Sequence, residues 1–212
     1  MITKDNFQKV LEYLEFDLSK EIYTKKFPQF DCELKADFKN KELIFPKDLV
    51  VNDKTTSNFS SPENFVVFEC VHRLLSQGYH PSHIELEKKW QLGHSQKSGK
   101  ADVYIKDNDG NSLLIIECKT AGSEFSKAWN ATQTKPTQLF SYVQQARSTR
   151  FIALYASDFV DEAIKADYYL ISMCDNEKLH QNNPSLARYA DATEVEDIYT
   201  VWAKPMKKSM QH

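Results

Sequence analysis

The stretch LLIIECKT, from Leu113 to Thr120, constrains the fold more than any other part of the chain. Leu113, Leu114, Ile115 and Ile116 make an extended strand apolar on both faces, and such a strand belongs at the centre of a covered sheet. Yet it runs into Glu117 and Lys119. Side chains two apart in a strand point the same way, so a carboxylate and an ammonium project together from the face of Leu113 and Ile115. The preceding strand, ADVYIKD, carries Asp102, and the turn NDGN around Gly110 predicts a hairpin that lays Asp102 beside Glu117. Two carboxylates about 4 Å apart repel by roughly 4 kcal/mol at an effective dielectric near 20, which a cation or a shared proton relieves. Mg²⁺ suits such a pair, because it takes one or two carboxylates and completes its shell with water and substrate phosphate. The plainer alternative is a charged strand end in which Glu117 pairs with Lys119 and Asp102 sits in a salt bridge near the turn.

The flanking sequence predicts the rest of an α/β domain with a mixed central sheet flanked by helices. Ser61 can cap a helix that opens on Pro62 and runs through ENFVVFECVHRLLSQ, apolar nearly all round, until Gly78 stops it. From His83 to Trp90 the period becomes two, with Ile84, Leu86, Lys88 and Trp90 alternating with Glu85, Glu87 and Lys89, as in a half-exposed strand. After Thr120 the reading is a loop from Ala121 to Thr134 and a helix from Pro136 to Arg147. A strand FIALYAS follows, then a short helical piece near Val160 to Ile164 and a last strand near Tyr168 to Met173. Upstream, Phe7, Val10, Leu11 and Leu14 have helical spacing, Phe30 to Phe45 reads as a hairpin turning near Asn40, and Asn52 to Ser61 is a polar connector. The expected division is an N-terminal helix and hairpin appendage over 1–60, a core over 61–175, and a linker or truncated segment over 176–212, where periodicity is lost.

Several function classes are excluded by composition and missing motifs. With 27 basic against 30 acidic residues, the formal charge is −3, so nucleic-acid affinity has to come from local patches. Lys97 and Lys100, Arg147 and Arg150, and Lys204, Lys207 and Lys208 are the modest patches present, each also readable as solvated surface. Cys32, Cys70, Cys118 and Cys174 form no C-x-x-C pair, so they read as free thiols instead of a zinc or redox site. The start MITKDNFQKV has no signal-peptide pattern and no stretch approaches a membrane span, so a cytoplasmic protein without a membrane partner is expected. His80 and His83 lack a third ligand, and neither H-E-x-x-H nor G-x-S-x-G occurs. GHSQKSGKA, from Gly93, has the wrong spacing for a P-loop and Ala101 in place of its Ser or Thr, which leaves no ATP site in this chain.

Three more residues bear on the acidic strand end. Glu69 interrupts the apolar helix, either as an i, i+4 partner of Arg73 or as a third acidic group. Gln138 and Tyr142, four apart, share one helix face, which also reads as a partly buried polar face. Asp102, Glu117-x-Lys119 and Gln138-x-x-x-Tyr142, with Glu69 on the preceding helix, resemble the PD-(D/E)xK nuclease superfamily, in its branch with a Q-x-x-x-Y helix. Ala101 stands where the family name has proline. The runs ENFVVFECVHRLL, HIELEKKW, SGKADVYI, LLIIECKT and QLFSYVQQ resemble the N-terminal nuclease domain of type I restriction enzyme R subunits, over about Phe7 to Met173.

The resemblance implies a restriction-endonuclease-like core and a Mg²⁺-dependent DNA endonuclease, with Mn²⁺ as a possible substitute. Asp102 and Glu117 would be the metal ligands, Lys119 would orient or activate water, and Gln138 and Tyr142 would lie near the DNA backbone. Lys97 and Lys100 would border the cleft. Lys127 and Lys135, with Trp129, belong to the following loop, which reads as a DNA contact or as a plain connector. The implied partners are double-stranded DNA, the modification and specificity subunits of a restriction complex, and a C-terminal motor or methyltransferase region beyond this chain. A nuclease-fold module that binds DNA or docks subunits without cutting is the other expectation.

Overall fold

A computed structural model of the chain describes residues 1–90, 99–134, 142–143 and 145–173. The polypeptide begins with helix α1 (Phe7–Tyr13) and four short strands, β1 (Asp17–Ser19), β2 (Ile22–Phe27), β3 (Cys32–Asp37) and β4 (Glu42–Ile44), paired in that order as an antiparallel sheet. The hairpin expected near Asn40 is β3–β4; the sequence reading lacked β1 and β2. Lys20 and Glu21, between them, both have positive φ (49° and 65°), a tight turn made without glycine. Aromatic rings of α1 and of the turn after it join this N-terminal part to the remainder: Phe7 lies 4.4 Å from Phe65 and Phe16 lies 5.8 Å from Phe68, centroid to centroid, within one continuous hydrophobic cluster.

The larger sheet is mixed, in the order β10–β9–β8–β7–β6–β5, with β5 (Val50–Val51), β6 (Ile84–Lys89), β7 (Lys100–Lys106), β8 (Ser112–Thr120), β9 (Phe151–Val160) and β10 (Ala163–Ser172). β8 is central, parallel to β9 and antiparallel to β7. Helix α2 (Pro62–Ser76) covers the face of Leu114, Ile116 and Cys118, and α3 (Ser123–Thr134) covers the face of Ile115, Ile152 and Leu154. The two-faced apolarity of β8 is therefore accounted for. α2 starts where its cap predicts: the Ser61 side chain accepts from the Glu63 amide at 3.3 Å, with Pro62 at the first helical position. Cys32, Cys70 and Cys118 are free, the last two buried. Among the described residues, no helix is long and apolar enough to cross a membrane.

Three expectations are corrected. The segment read as a loop from Ala121 to Thr134 is mostly α3. Its apolar anchors Phe125 and Trp129 are four apart, a sparse helical signal, and both stack on Tyr169 (5.6 and 3.8 Å). The helical piece near Val160 to Ile164 is the turn of the β9–β10 hairpin, where Asp161 and Glu162 take φ of 54° and 58°. Long pairing on both sides imposes a left-handed two-residue turn on residues that seldom choose it. β6 is not half-exposed: Ile84 to Glu87 are all buried, with Glu85 bound by Asn52 and Lys88 at 2.8 and 3.0 Å and Glu87 paired with Lys100. Most of the predicted helix from Pro136 to Arg147, and the segment from 174 on, lie outside the described residues.

His72, on α2, makes a first prediction. Its Nε2 is buried without a hydrogen-bond partner among the described residues, beside the rings of Phe16 and Phe27. Burial, helped by the charges of Lys25 and Arg73, pushes its pKa down to about 4. The unfolded chain protonates His72 near pH 6.5 and the folded one only near pH 4, so its stabilisation is complete above pH 6.5 and is lost as pH falls to about 4. The loss amounts to roughly 3 kcal/mol. Denaturant titrations between pH 4 and 7 should show a shallower acid decline in His72→Leu than in wild type; parallel declines would contradict this.

Candidate active site

The two acidic residues of the hairpin meet where its ladder opens. β7 and β8 pair up to Val103 with Ile116, and one step further on Asp102 faces Glu117 without a ladder pair. The Asp102 carboxylate takes over the freed main chain: its Oδ2 accepts from the Cys118 amide at 2.7 Å. Its Oδ1 accepts no hydrogen bond among the described residues. Glu117 Oε1 accepts from Lys119 Nζ at 2.7 Å, and the same ammonium donates to the Cys118 carbonyl at 2.9 Å. Asp102, Glu117 and Lys119 are thus brought together as the spacing predicts.

A third carboxylate belongs to this group, and it is Glu63 instead of Glu69. Glu63 stands in the first turn of α2, 3.6 Å from Lys119 Nζ. A glutamate there reads equally well as a partner of the helix dipole, so no feature of the sequence distinguishes it. Glu69 is 1% exposed and turned to another set of partners: Arg73 Nη2 at 3.3 Å and the Tyr155 hydroxyl, which donates to it at 2.6 Å. Of the two roles open to Glu69, the structure gives it the ion pair.

Electrostatically the group is short of positive charge. Burial first, and then the charge of Glu117, push Asp102 well above the usual carboxylate range. Burial also raises Glu117, against the pull of Lys119. At Lys119 burial opposes the charge, but Glu117 and Asp102 outweigh it and hold the ammonium above its ordinary value. Asp102, Glu117 and Glu63 face one ammonium, and a divalent cation would offset the excess. The donors are hard oxygens, and the Cys118 carbonyl adds another, which fits Mg²⁺ or Mn²⁺. No cluster of three or more His, Cys, Asp and Glu side chains able to hold a metal occurs among the described residues. Water and substrate oxygens would therefore have to complete the shell around a pair of carboxylates.

Tyr142 closes the group from the opposite side. Its hydroxyl donates to the Lys100 carbonyl at 2.5 Å and lies 3.5 Å from Glu117 Oε2, while its ring stacks on Trp90 at 5.2 Å. Gly99 permits this approach, since a Cβ there would lie 2.6 Å from Tyr142 Cε1. Two of the lysines expected to touch DNA, Lys100 and Lys127, are among the described residues. Lys100 opens β7, and its ammonium is held by Glu87, Thr55 and Asp53 instead of being offered from a loop. Lys127 is exposed on α3 and pairs with Glu124 at 3.0 Å, whereas Trp129 is buried in the stack on Tyr169. Lys97, Lys135 and Gln138 lie outside the described residues. Glu87, Asp53 and Thr55 escaped the sequence reading; a buried Glu87 looks like any polar member of an alternating strand.

α2, the opened hairpin and the first part of β9 form one continuous segment of chain, and it is this segment that can be compared with known families. Residues 62–155 match the family of the type I restriction enzyme R protein N terminus. The match spans α2, with Glu63, and the whole of β6, β7 and β8, with Asp102, Glu117 and Lys119; it ends inside β9. No curated protein matches the chain.

Proposed function

We propose that this R-protein N-terminal region is a metal-dependent DNA endonuclease site with a PD-(D/E)xK core. The observation that carries the reading is the meeting of Asp102, Glu117 and Lys119 at the point where the β7–β8 ladder opens. Hydrolysis of a phosphodiester needs its negative charge offset and a water activated near neutral pH. Bound between Asp102 and Glu117, Mg²⁺ would supply Lewis-acid stabilisation of the phosphate and acidify a water. Lys119, fixed by Glu117 and the Cys118 carbonyl, points an ammonium at the same place, where it orients the attacking oxygen or steadies the developing charge. Tyr142 stands beside Glu117, its hydroxyl 3.5 Å from Oε2. In this reading the chain works within a restriction complex on double-stranded DNA, beside modification and specificity subunits and a motor or methyltransferase region.

Metal removal tests it. The assembled complex, supplied with target DNA, should stop cutting in excess chelator and recover on addition of Mg²⁺ or Mn²⁺. Cleavage that persists in chelator would contradict the assignment. DNA bound but never cut, whatever the metal, would favour a docking module on a nuclease fold.

A further inference from the structure

Glu87 is out of keeping with its strand. It is 2% exposed in the middle of β6, and its backbone takes the left-handed region, at φ 56°, which a β-carbon disfavours. The β6–β7 register passes from Leu86–Val103 to Lys88–Ala101 and omits Glu87 with Asp102. The kink therefore stands directly across the sheet from one of the site carboxylates, at the level where β7 also leaves β8. Asp102 is flanked on both sides by a break in pairing.

The kink turns the Glu87 carboxylate to the Lys100 ammonium, with which it forms an ion pair. Lys100 Nζ also donates to Thr55 Oγ1 at 2.8 Å and lies 3.9 Å from Asp53, itself held by Lys89 at 2.8 Å. A buried carboxylate left alone is costly, so Lys100 is confined by it. The main chain of the same lysine supplies the carbonyl that receives the Tyr142 hydroxyl. That hydroxyl has one proton. Given to the Lys100 carbonyl, it is directed away from Glu117 Oε2, 3.5 Å distant, and the lone pairs of that oxygen stay available to a cation.

We propose that Glu87 is a positioning residue: by clamping Lys100 it fixes the carbonyl that holds Tyr142, and through Tyr142 it sets Glu117 as a metal ligand. The proposal rests on the reading of Asp102 and Glu117 as the metal site. Groups one step removed from a metal orient its ligands, and their loss commonly weakens metal binding about 10- to 100-fold.

The test is a thermodynamic cycle read by calorimetric Mn²⁺ titration of the whole chain. Glu87→Gln should weaken Mn²⁺ about tenfold in the wild-type background and leave it unchanged in the Tyr142→Phe background, where the route to Glu117 is already cut. Lys100→Arg keeps the cation and should retain the affinity that Lys100→Met loses. Equal losses in both backgrounds, or no loss at all, would overturn the proposal. Should Glu87→Gln fail to fold, Glu87→Asp keeps the charge but draws it back, and its coupling to Tyr142→Phe, or lack of it, decides in the same way. The metal-site reading fails separately: wild-type Mn²⁺ binding that survives Asp102→Asn would place the metal elsewhere, whatever Glu87 does.

Discussion

Lys119→Ala should lower DNA cleavage by the assembled enzyme about 10³-fold, with DNA binding nearly unchanged. The ammonium is the only positive charge bonded to Glu117 among the described residues, and it touches the Cys118 carbonyl as well. A group that steadies charge appearing only in the transition state is reflected in turnover and not in affinity. Lys119→Arg should recover little, since a planar guanidinium cannot bring one donor to both oxygens with the same geometry. Asp102→Ala should lose as much by a different route. It removes a proposed cation ligand and also the acceptor of the Cys118 amide, so the strand end loses its anchor. Quantitative cleavage of a plasmid carrying the recognition sequence measures both variants. Wild-type rates in the two would leave the chain with a binding role alone.

Glu69→Ala should cost stability instead of catalysis, by roughly 3 kcal/mol. The carboxylate is almost wholly buried and holds the Tyr155 hydroxyl at 2.6 Å and Arg73 at 3.3 Å, while Arg73 Nε also donates to that hydroxyl at 2.9 Å. Truncation strands a buried phenol and unties α2 from β9. For a chain of this size the melting temperature should fall by about 6 to 12 °C. Glu69→Gln, which keeps an acceptor for Tyr155, should lose less. In the folded fraction of Glu69→Ala, Mn²⁺ affinity should match the wild type, because it is Glu63 and not Glu69 that approaches Lys119. Lost Mn²⁺ affinity at unchanged stability would make Glu69 a member of the acidic site after all.

The parts of this molecule that were legible in its sequence are those governed by local rules. Ser61 and Pro62 announce the start of α2, Gly110 marks the β7–β8 turn, and the unbroken apolar run before Glu117 places β8 at the centre of the sheet. Asp102, Glu117 and Lys119 follow from these, because hairpin register and the two-residue period of a strand determine which side chains share a face. Where tertiary contact overrides local preference, the sequence misleads. Asp161 and Glu162 take left-handed conformations because two long strands demand it, and α3 depends on Phe125 and Trp129 finding Tyr169. The same holds at the site. Glu63 approaches Lys119 only through the docking of α2 on β8, and the Glu87–Lys100–Tyr142 chain joins residues far apart in sequence through a backbone kink. Glu69 and Glu63 lie on one helix, and only the packing separates the structural acid from the one at the site.

The most direct measurement is Mn²⁺ binding to the purified chain, with and without duplex DNA, in wild type and Glu117→Gln. A pair of carboxylates makes an incomplete cage, so binding should be weak alone and tighten when DNA phosphate completes it. Glu117→Gln keeps the shape and removes a charge worth a few kcal/mol at contact for an effective dielectric near 20, so affinity should fall more than tenfold. Unchanged affinity in that variant, or a metal indifferent to DNA, would mean that Asp102 and Glu117 do not hold the cation and that Glu117 is a charged strand end paired with Lys119.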